Sequence, residues 1–437
     1  MRTFTRGAVA ALILAALLVP ARALADSSTG RFTVSQNPYA YGQAPVFMPD
    51  GRVVFAKDFG DGKGQQVYIS SAKLDGSDLQ CLTCSPQAPA APNGVPAVRP
   101  QGNWILFHSW DKRNIRVGSP GFGGLGSALY VMRPDGSHVT QLTALDAAHG
   151  SGEGEDDYHA YWSPDGKHVV WAHLNWNFVD DSGQGKWDVR IASFVDDGVH
   201  PPHLANTTVV RPANGHYYET QWWAPDGSGF LYTESWGTAM NLELFYCRVT
   251  FNAAGIPAPC DTTNTTRLTD SPAWDEQALF TPDMKNVIFM STRDHPGFFN
   301  TFAGLTNDAG LTTDEDYLLV LPLFEAGFLQ PVAQESTDLY ELNLASGSVR
   351  RLTHNGDDGW IIPEFTWNPT NRFLMWTEAR YPDGVRVPLP LDPVRQLQQT
   401  AGYLQGLKPA PPSPTVPTPG DISPLPLERR TEIGRFS

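Results

Sequence analysis

Trp162-Ser-Pro-Asp-Gly166 and Trp223-Ala-Pro-Asp-Gly227 are two copies of the phrase that decides the fold of this 437-residue chain. Each copy has a large apolar residue, one further residue and then Pro-Asp-Gly. The other copies, some with changes after the proline, are Phe47–Gly51, Val98–Gly102, Phe280–Met284 and Trp367–Asn371. Pro-Asp-Gly suits a tight hairpin, because Gly takes a positive φ without steric cost and Asp hydrogen-bonds its own turn. Since a strand-like run follows each copy, the pattern predicts one β-hairpin repeated six times.

A second hairpin follows most copies of the phrase and ends in Leu-Thr. The clearest example runs from Leu129 to Thr143 and has another Pro-Asp-Gly turn between its strands. The closing pairs are Leu82-Thr83, Leu142-Thr143, Leu268-Thr269 and Leu352-Thr353. Two hairpins per repeat make a unit of four strands. We therefore predict an all-β fold, a six-bladed β-propeller of four-stranded antiparallel blades.

The sixth repeat is shorter than the others. After its second strand it has only Tyr381-Pro-Asp-Gly384 and the brief run Val385–Val387. A further strand-like run, Phe32–Gln36, precedes the first repeat and has no partner in the pattern. We expect this N-terminal strand to close the last blade, because a shared strand removes free sheet edges.

These repeats resemble those of the TolB-like β-propeller family, the Pro-Asp or WD40-like repeats, over residues 32–387. The features in common are the turn phrase, the Leu-Thr pairs and a third strand with Leu-Tyr. The resemblance implies six blades, export from the cytoplasm and a central tunnel lined by the first strand of each blade. The chain departs from TolB itself, since we find no α/β domain ahead of the repeats. It also has no Gly-x-Ser-x-Gly elbow of the serine peptidases that carry similar propellers.

The chain divides into three predicted regions. Residues 1–25 read as a signal peptide, with an early positive charge, a short apolar core and Ala23-Leu24-Ala25 as the cleavage pattern. Residues 26–390 form the propeller and include a long insertion at 294–336. Residues 391–437 are expected to form a short helix and a Pro-rich disordered tail. We expect an exported protein, periplasmic or extracellular, without a transmembrane span in the mature chain.

The charge and the cysteines narrow the function classes. A formal net charge of −15 disfavours nucleic acid and anionic membranes as partners. We expect a monomer.

Four cysteines in an exported chain suggest two local disulfides, Cys81–Cys84 and Cys247–Cys260. Because Pro86 follows the first pair where a redox motif needs a helix, we interpret that pair as a structural staple.

A candidate site follows from alignment of the repeats. The positions six and five residues before each turn proline should meet at one mouth of the tunnel. Blades three to six place His159, Glu219, Glu276 and Glu364 there, and these residue types can bind a divalent cation such as Ca²⁺ or Mn²⁺. The other residues expected at the tunnel mouth are Tyr158, Tyr218 and Gln277. An acidic mouth that only solvates its carboxylates, with no metal, is the alternative.

Two functions remain open from the sequence. The first is a non-catalytic module that binds a protein or peptide, with Asp294–Ser336 shaping the contact. The second is a metal-assisted lyase or hydrolase that acts on an acidic oligosaccharide at the tunnel mouth. The oligogalacturonate lyases resemble this architecture, but their metal sites look His-rich and only His159 aligns here. Aromatic residues after the second strands, such as Trp110 and Trp236, suit either a carbohydrate surface or packing between blades.

Overall fold

The computed structural model describes thirteen stretches of the chain. They are residues 32–33, 42–59, 66–90, 92–110, 127–144, 156–175, 186–214, 216–236, 238–271, 273–295, 336–362, 364–380 and 428–434. The expected signal peptide, nearly all of the insertion, the expected short helix and the Pro-rich part of the tail lie outside these residues. No helix within the described stretches has the length and apolar character needed to cross a membrane.

The described residues form strands joined by turns and one short 3₁₀ helix, Gly356–Asp358. The strands are β1 (Phe32–Thr33), β2 (Gly42–Phe47), β3 (Val53–Asp58), β4 (Val67–Ala72), β5 (Gln80–Cys81), β6 (Asn93–Val98), β7 (Ile105–Trp110), β8 (Ser127–Met132), β9 (Thr140–Gln141), β10 (Asp156–Trp162), β11 (His168–Asn175), β12 (Lys186–Val195), β13 (His203–Arg211), β14 (Tyr218–Trp223), β15 (Gly229–Trp236), β16 (Thr238–Arg248), β17 (Thr265–Arg267), β18 (Asp275–Phe280), β19 (Asn286–Ser291), β20 (Asp338–Asn343), β21 (Val349–Arg351), β22 (Phe365–Trp367), β23 (Leu374–Arg380) and β24 (Glu428–Gly434).

These strands make an all-β propeller of four-stranded antiparallel blades. Sheets 1 to 5 each contain four consecutive strands in chain order, namely β2–β5, β6–β9, β10–β13, β14–β17 and β18–β21. Sheet 6 has the order β1-β24-β23-β22. Buried apolar side chains pack between each sheet and the next, which is how the blades of a propeller bury both of their faces. A further cluster, which includes Phe55 and Met375, joins sheet 6 to sheet 1.

Sheet 6 takes strands from both ends of the described chain. Its third strand is β24, which pairs with β23 from Leu374↔Gly434 to Arg380↔Glu428. The sequence instead suggested Val385–Val387 for this place and assigned residues 428–434 to the tail. A run that directly follows in sequence is the usual hairpin partner, and the pattern does not indicate pairing with a distant segment. The N-terminal strand β1 pairs with β24 at Phe32↔Ile433.

The Leu-Thr pairs have a structural role common to four blades. In each, the threonine hydroxyl accepts a hydrogen bond of 2.9 Å from a third-strand backbone N–H, for example from Ile69 to Thr83. The leucine N–H bonds to the carbonyl of that same third-strand residue at 2.8 Å, as Leu82 does to Ile69. The pair therefore fastens the short fourth strand to the third. Without these bonds, buried backbone groups would remain unsatisfied.

The tryptophans of the turn phrase pack between blades, as the repeat predicts. Trp162 is buried in sheet 3, and its indole N–H donates to the carbonyl of Ala97 in sheet 2 at 3.1 Å. In the same way Trp367 of sheet 6 donates to Phe280 of sheet 5 at 2.9 Å. The rings of Trp162 and Trp367 fill gaps between two sheets and pair their indole N–H there, whereas the indole N–H of Trp223 is buried without an acceptor among the described residues.

Both predicted cysteine pairs lie at disulfide distance. The S–S separations are 1.94 Å for Cys81–Cys84 and 2.01 Å for Cys247–Cys260. The second pair joins β16 to the loop that precedes β17. That loop also contacts sheet 3, because the N–H of Cys260 donates to the carbonyl of Val210. The disulfide thus holds a loop of one blade against its neighbour.

The two ends of the propeller carry different connections. The connections from first to second strand are tight turns, such as the one in which Gly166 has φ 68°. Connections from second to third strand lie at the opposite end, because neighbouring strands are antiparallel. The longest of them span residues 111–126, 292–337 and 381–427. We call this the mouth end, since the first strands also begin there.

Candidate functional site

The first strands of five sheets have a β-bulge at the same place, close to the mouth end. The ladder shifts register after Gln43, Gly94, Tyr158, Thr220 and Glu276 in sheets 1 to 5. Four residues at these bulges have left-handed backbone, namely Ala44 (φ 51°), Val95 (φ 40°), His159 (φ 49°) and Gln277 (φ 48°). Such a conformation is uncommon for residues other than Gly. A bulge changes the direction of side chains, and the strain of positive φ is typical of functional sites.

Glu219 of sheet 4 lies at the centre of the polar residues at the mouth. Its Oε1 is 2.7 Å from Nδ1 of His159, which belongs to sheet 3. The same oxygen accepts hydrogen bonds from the side-chain amides of Gln221 at 3.0 Å and Gln277 at 3.1 Å. Because Gln277 belongs to sheet 5, one carboxylate oxygen joins three neighbouring blades.

The second oxygen of Glu219 is bonded by tyrosines. Oε2 accepts a hydrogen bond from the hydroxyl of Tyr217 at 2.7 Å and a longer one from Tyr158 at 3.3 Å. The two hydroxyls also hydrogen-bond to each other. Tyr158 and His159 are adjacent in sequence, yet both reach the same carboxylate. In a regular strand they would point to opposite faces, so the bulge is what brings both to the mouth.

The other two predicted acids join the same environment. Interaction with Glu276 lowers the pKa of Glu219, and the charge of Glu364 raises the pKa of His159. Burial raises the pKa of Tyr161 well above its usual value, and the carboxylates of Glu364, Glu219 and Glu276 raise it further. The structure therefore pairs His159 with Glu219, and Glu276 and Glu364 lie close enough to affect the pKa values around that pair. That they bind a metal stays a prediction.

The pKa values of His159 and Glu219 shift in opposite directions. Burial alone would lower the pKa of His159, but the Glu219 carboxylate outweighs burial and raises it above the usual value. Burial would likewise raise the pKa of Glu219, but His159 and the hydrogen bonds around the carboxylate lower it. Each partner thus stabilises the charged form of the other.

Sheet 2 adds a histidine that the repeats did not place at the mouth. His108 is buried, and its ring lies parallel to that of His159 with 6.4 Å between centroids. Burial and the nearby charge of His159 lower the pKa of His108 well below its usual value. Both effects favour the neutral form of the His108 ring.

Tyr218 does not reach the residues around Glu219. Its hydroxyl lies 3.4 Å from Glu234 and its ring contacts Tyr232, inside sheet 4. The neighbouring Tyr217 occupies the expected position instead. Side chains alternate along a strand, so an assignment one residue off selects the opposite face. Tyr217 and Glu219, two residues apart, share a face.

The polar residues after the second strands form buried structural networks. Glu234 accepts from Arg211 of sheet 3 at 3.1 Å and lies 2.7 Å from Nδ1 of His216. His173 lies 2.8 Å from Asp157, which also accepts from the indole of Trp171. These contacts favour packing over an exposed binding surface for this group. The side chains of Trp110 and Trp236, and all of Trp176, lie outside what the structure describes.

Elsewhere on the mouth end, one group of His and Asp residues in the described stretches is spaced closely enough to bind a metal ion. Nε2 of His295 and carboxylate oxygens of Asp338 and Asp357 all lie within 4.8 Å of one another. However, the guanidinium of Arg351 contacts all three, at 2.9 Å, 2.5 Å and 2.6 Å respectively. A cation already bridges these groups, so the donor set does not fit a metal. Its place at the base of the insertion indicates a structural role.

No family model and no curated protein match the chain. Among solved structures, TolB from Acinetobacter baumannii is 12% identical with a TM-score of 0.43, over 75% of this chain and 60% of that one. A putative TolB from Agrobacterium tumefaciens is 16% identical with a TM-score of 0.44, over 77% and 89%. An oligogalacturonate lyase in complex with manganese is 12% identical with a TM-score of 0.42, over 83% and 96%. The chain thus spans three-fifths of the Acinetobacter protein.

The sheet order and the packing between sheets define the class of this protein as a β-propeller. The solved structures similar to it include a TolB, a putative TolB and enzymes. Function is argued from the site, because one fold can host many functions.

Proposed function

We propose that this chain is a non-catalytic module that binds a protein or peptide segment at the tunnel mouth. The main support for this proposal is that protein groups occupy the carboxylate of Glu219. Both of its oxygens are held by protein groups, from His159 and Gln277 on one side to Tyr217 on the other. A catalytic carboxylate must exchange protons or bonds with a substrate. Glu219 instead holds three blades in register beneath a binding surface.

The arrangement of connections supports the same proposal. The longest connections emerge at the mouth end, whereas the other end has mostly tight turns. Binding residues of many folds lie on loops that a rigid scaffold positions. A propeller with loops on one face and bulged strands beneath them has the form of a binding module.

The proposal includes a closed ring of six blades. Buried clusters join sheet 6 to both of its neighbours, through Leu279 and Trp376 on one side and Phe55 and Met375 on the other. If all six contacts between neighbouring sheets are packed in this way, the first strands surround one axis. Strand β1 covers the outer edge of β24, as expected of a blade closed by the N-terminus.

We further propose that the mature protein begins near Asp26, is exported and acts as a monomer. Two disulfides fit an oxidising compartment, such as the periplasm or the outside of the cell. The net charge of −15 makes nucleic acid an unsuitable partner. A protein or peptide remains the favoured ligand class.

The second candidate is the metal-assisted enzyme acting on an acidic oligosaccharide. One observation favours it: an imidazole and three carboxyl groups, at His159, Glu219, Glu276 and Glu364, gather at the end of a propeller tunnel. If these groups bound Mn²⁺ or Ca²⁺, the metal would supply a Lewis acid there. Glu276 and Glu364 would then be its protein ligands, because Glu219 already accepts hydrogen bonds from Gln221, Gln277 and Tyr217 and pairs with His159.

The experiment is peptide selection on the immobilised mature chain. Random peptides displayed on phage are selected on the wild type and then tested on two variants. Val95→Arg places a long side chain at the mouth, and Val199→Arg places one on an exposed turn at the other end. We expect the selected peptides to bind the wild type and Val199→Arg but not Val95→Arg. Peptides that bind all three equally, or turnover of polygalacturonate with added Mn²⁺, would contradict the proposal.

A further inference from the structure

The two disulfides differ in how accessible their cysteines are. Cys84 is exposed and Cys81 is half-buried, at the end of the outermost strand of sheet 1. Cys247 and Cys260 are 0% and 2% exposed. Thiol–disulfide exchange begins when a thiolate reaches one sulfur of the bond, and exposed disulfides are the labile ones. The Cys81–Cys84 bond is therefore open to exchange, whereas the Cys247–Cys260 bond is shielded.

Two other blades close the same turn without a covalent bond. The residue before the Leu-Thr pair is Cys81 in sheet 1, Gln141 in sheet 2 and Arg267 in sheet 4. The side-chain amide of Gln141 donates a hydrogen bond to the carbonyl of Thr143 at 2.7 Å. Likewise, Nε of Arg267 donates to the carbonyl of Thr269 at 2.8 Å. Each bond spans its Leu-Thr pair, as the disulfide does in sheet 1, so one hydrogen bond is enough to close this turn.

The contacts of the residues between the two cysteines do not depend on sulfur. Leu82 is buried in the apolar cluster between sheets 1 and 2, and its N–H donates to the carbonyl of Ile69 at 2.8 Å. The hydroxyl of Thr83 accepts from the N–H of Ile69 at 2.9 Å. The sequence separation across this disulfide is 3 against 13 in the other pair, and a short loop constrains the unfolded chain less than a long one. We expect sheet 1 to stay folded when the bond opens.

The local backbone indicates which part in an exchange this pair can take. A Cys-x-x-Cys pair that attacks other disulfides lies at a helix N-terminus, which stabilises its thiolate. Cys81 instead ends strand β5, and Cys84 is followed by a turn in which the N–H of Ala88 bonds to the carbonyl of Ser85. The pair is therefore suited to receive electrons from a partner thiol and not to act as the attacking group.

We propose that Cys81–Cys84 is a redox-exchange site, which a dithiol oxidoreductase in the same compartment reduces and reoxidises while this protein stays folded. The partner's thiolate attacks Sγ of Cys84, the S–S bond breaks, and Cys81 leaves as a thiolate that takes a proton from water. The partner's second thiol then attacks the mixed disulfide and releases Cys84, which is protonated in turn. This chain gains two electrons and two protons, and the partner dithiol loses them and becomes a disulfide. The inference goes beyond the proposed function and does not depend on it.

The first test measures which disulfide opens in the folded protein. The mature chain is equilibrated with mixtures of reduced and oxidised glutathione, and its thiols are labelled with a maleimide and located by peptide mass mapping. We expect the equilibrium constant for reduction of Cys81–Cys84 to exceed that of Cys247–Cys260 at least about tenfold, because exposed disulfides have the more oxidising potentials. Circular dichroism follows the same samples. Similar constants for the two pairs, or loss of the folded signal as Cys81–Cys84 opens, would overturn the inference.

Matched variants compare what the two disulfides contribute to stability. We expect Cys81→Ala/Cys84→Ala to lower the midpoint temperature of thermal unfolding by no more than about half as much as Cys247→Ala/Cys260→Ala does, because the first disulfide closes the shorter loop. An equal or larger decrease for Cys81→Ala/Cys84→Ala would show that the fold depends on this bond and would contradict an exchange in the folded state.

A further test traps the step with the partner. The probe is reduced thioredoxin whose second cysteine is replaced by serine, because its reaction stops at the mixed disulfide. We expect an adduct with the wild-type chain that peptide mapping assigns to Cys84, and no adduct with Cys81→Ala/Cys84→Ala. The inference is wrong if the wild type forms no adduct or forms it through a cysteine other than Cys84.

Discussion

His159 and Glu219, from neighbouring blades, lie 2.7 Å apart at the mouth of the propeller. The histidine reaches the carboxylate because its backbone is left-handed, with φ 49°, at a bulge that recurs in five sheets. Both side chains are largely buried, with exposed fractions of 11% and 6%. The pair therefore couples the local backbone of one strand to the contact between two blades.

Removing the charge of Glu219 should destabilise the protein strongly. Glu219→Gln leaves the buried imidazolium of His159 without its carboxylate, and breaking such a pair costs about 3–5 kcal/mol. Urea unfolding at pH 5.5, monitored by tryptophan fluorescence, measures the loss. Glu341→Gln is the control, since Glu341 pairs with the exposed Arg350 and such a surface pair contributes about 1 kcal/mol at most. Similar losses in the two variants would contradict this role of Glu219.

The His159–Glu219 pair should contribute most to the free energy of unfolding at an intermediate pH. Because the folded-state pKa of His159 is raised above 6.5, its share of the stability is complete below 6.5 and is lost as the pH rises through the folded value. The pKa of Glu219 is lowered from 4.5, so its share is complete above 4.5 and is lost as the pH falls through the lowered value. Unfolding free energies of the wild type and His159→Gln should therefore differ most between these limits. A difference that does not change with pH would refute the assignment.

Asp275 should make stability fall as the pH rises. Burial raises its pKa to about 6, despite the contact with Arg293. The folded protein then holds a proton that the unfolded chain releases near pH 4, so stability is greatest below pH 4 and declines towards pH 6, by up to about 3 kcal/mol. Asp275→Asn should remove this slope from the pH profile. Asp283→Asn, at an exposed turn, should leave the slope in place.

The Leu-Thr pairs allow a test of the repeat itself. Thr83→Val keeps the size of the side chain but removes the acceptor for the N–H of Ile69, which costs about 1–3 kcal/mol when the donor is buried. Thr83→Ser keeps the hydroxyl and should cost less. Thermal unfolding of the two variants compares them directly. If serine is as destabilising as valine, the methyl group rather than the hydrogen bond is what matters.

The repeat phrase was sufficient to predict the blades and several contacts between them. The period of the turns determines where strands begin, and a tryptophan two residues before proline must face a neighbouring sheet, as Trp162 and Trp367 do. The cysteine pairs were likewise predictable, because each pair is close in sequence. By contrast, β24 was missed, since its pairing with β23 joins segments that are remote in the chain.

At the mouth, the alignment of repeats predicts one region for His159, Glu219, Glu276 and Glu364, and of their contacts the structure gives the one between His159 and Glu219. Tyr218 was expected at the mouth, but alternation of side chains puts it on the face opposite Glu219, and the structure places Tyr217 beside Glu219. The bulges allow adjacent residues to share a face, and nothing in the phrase marks a bulge. Gln221 was missed for the same reason, and His108 was missed because the alignment covered only the first strands.

The amino-acid sequence alone determined the repeats, the turns and the tryptophans that pack between blades. These features depend on short-range periodicity. Only the tertiary structure decided which polar groups meet at the axis. Those contacts depend on left-handed backbone at bulges such as His159 and on packing between blades, where residues far apart in the chain satisfy one another's hydrogen bonds.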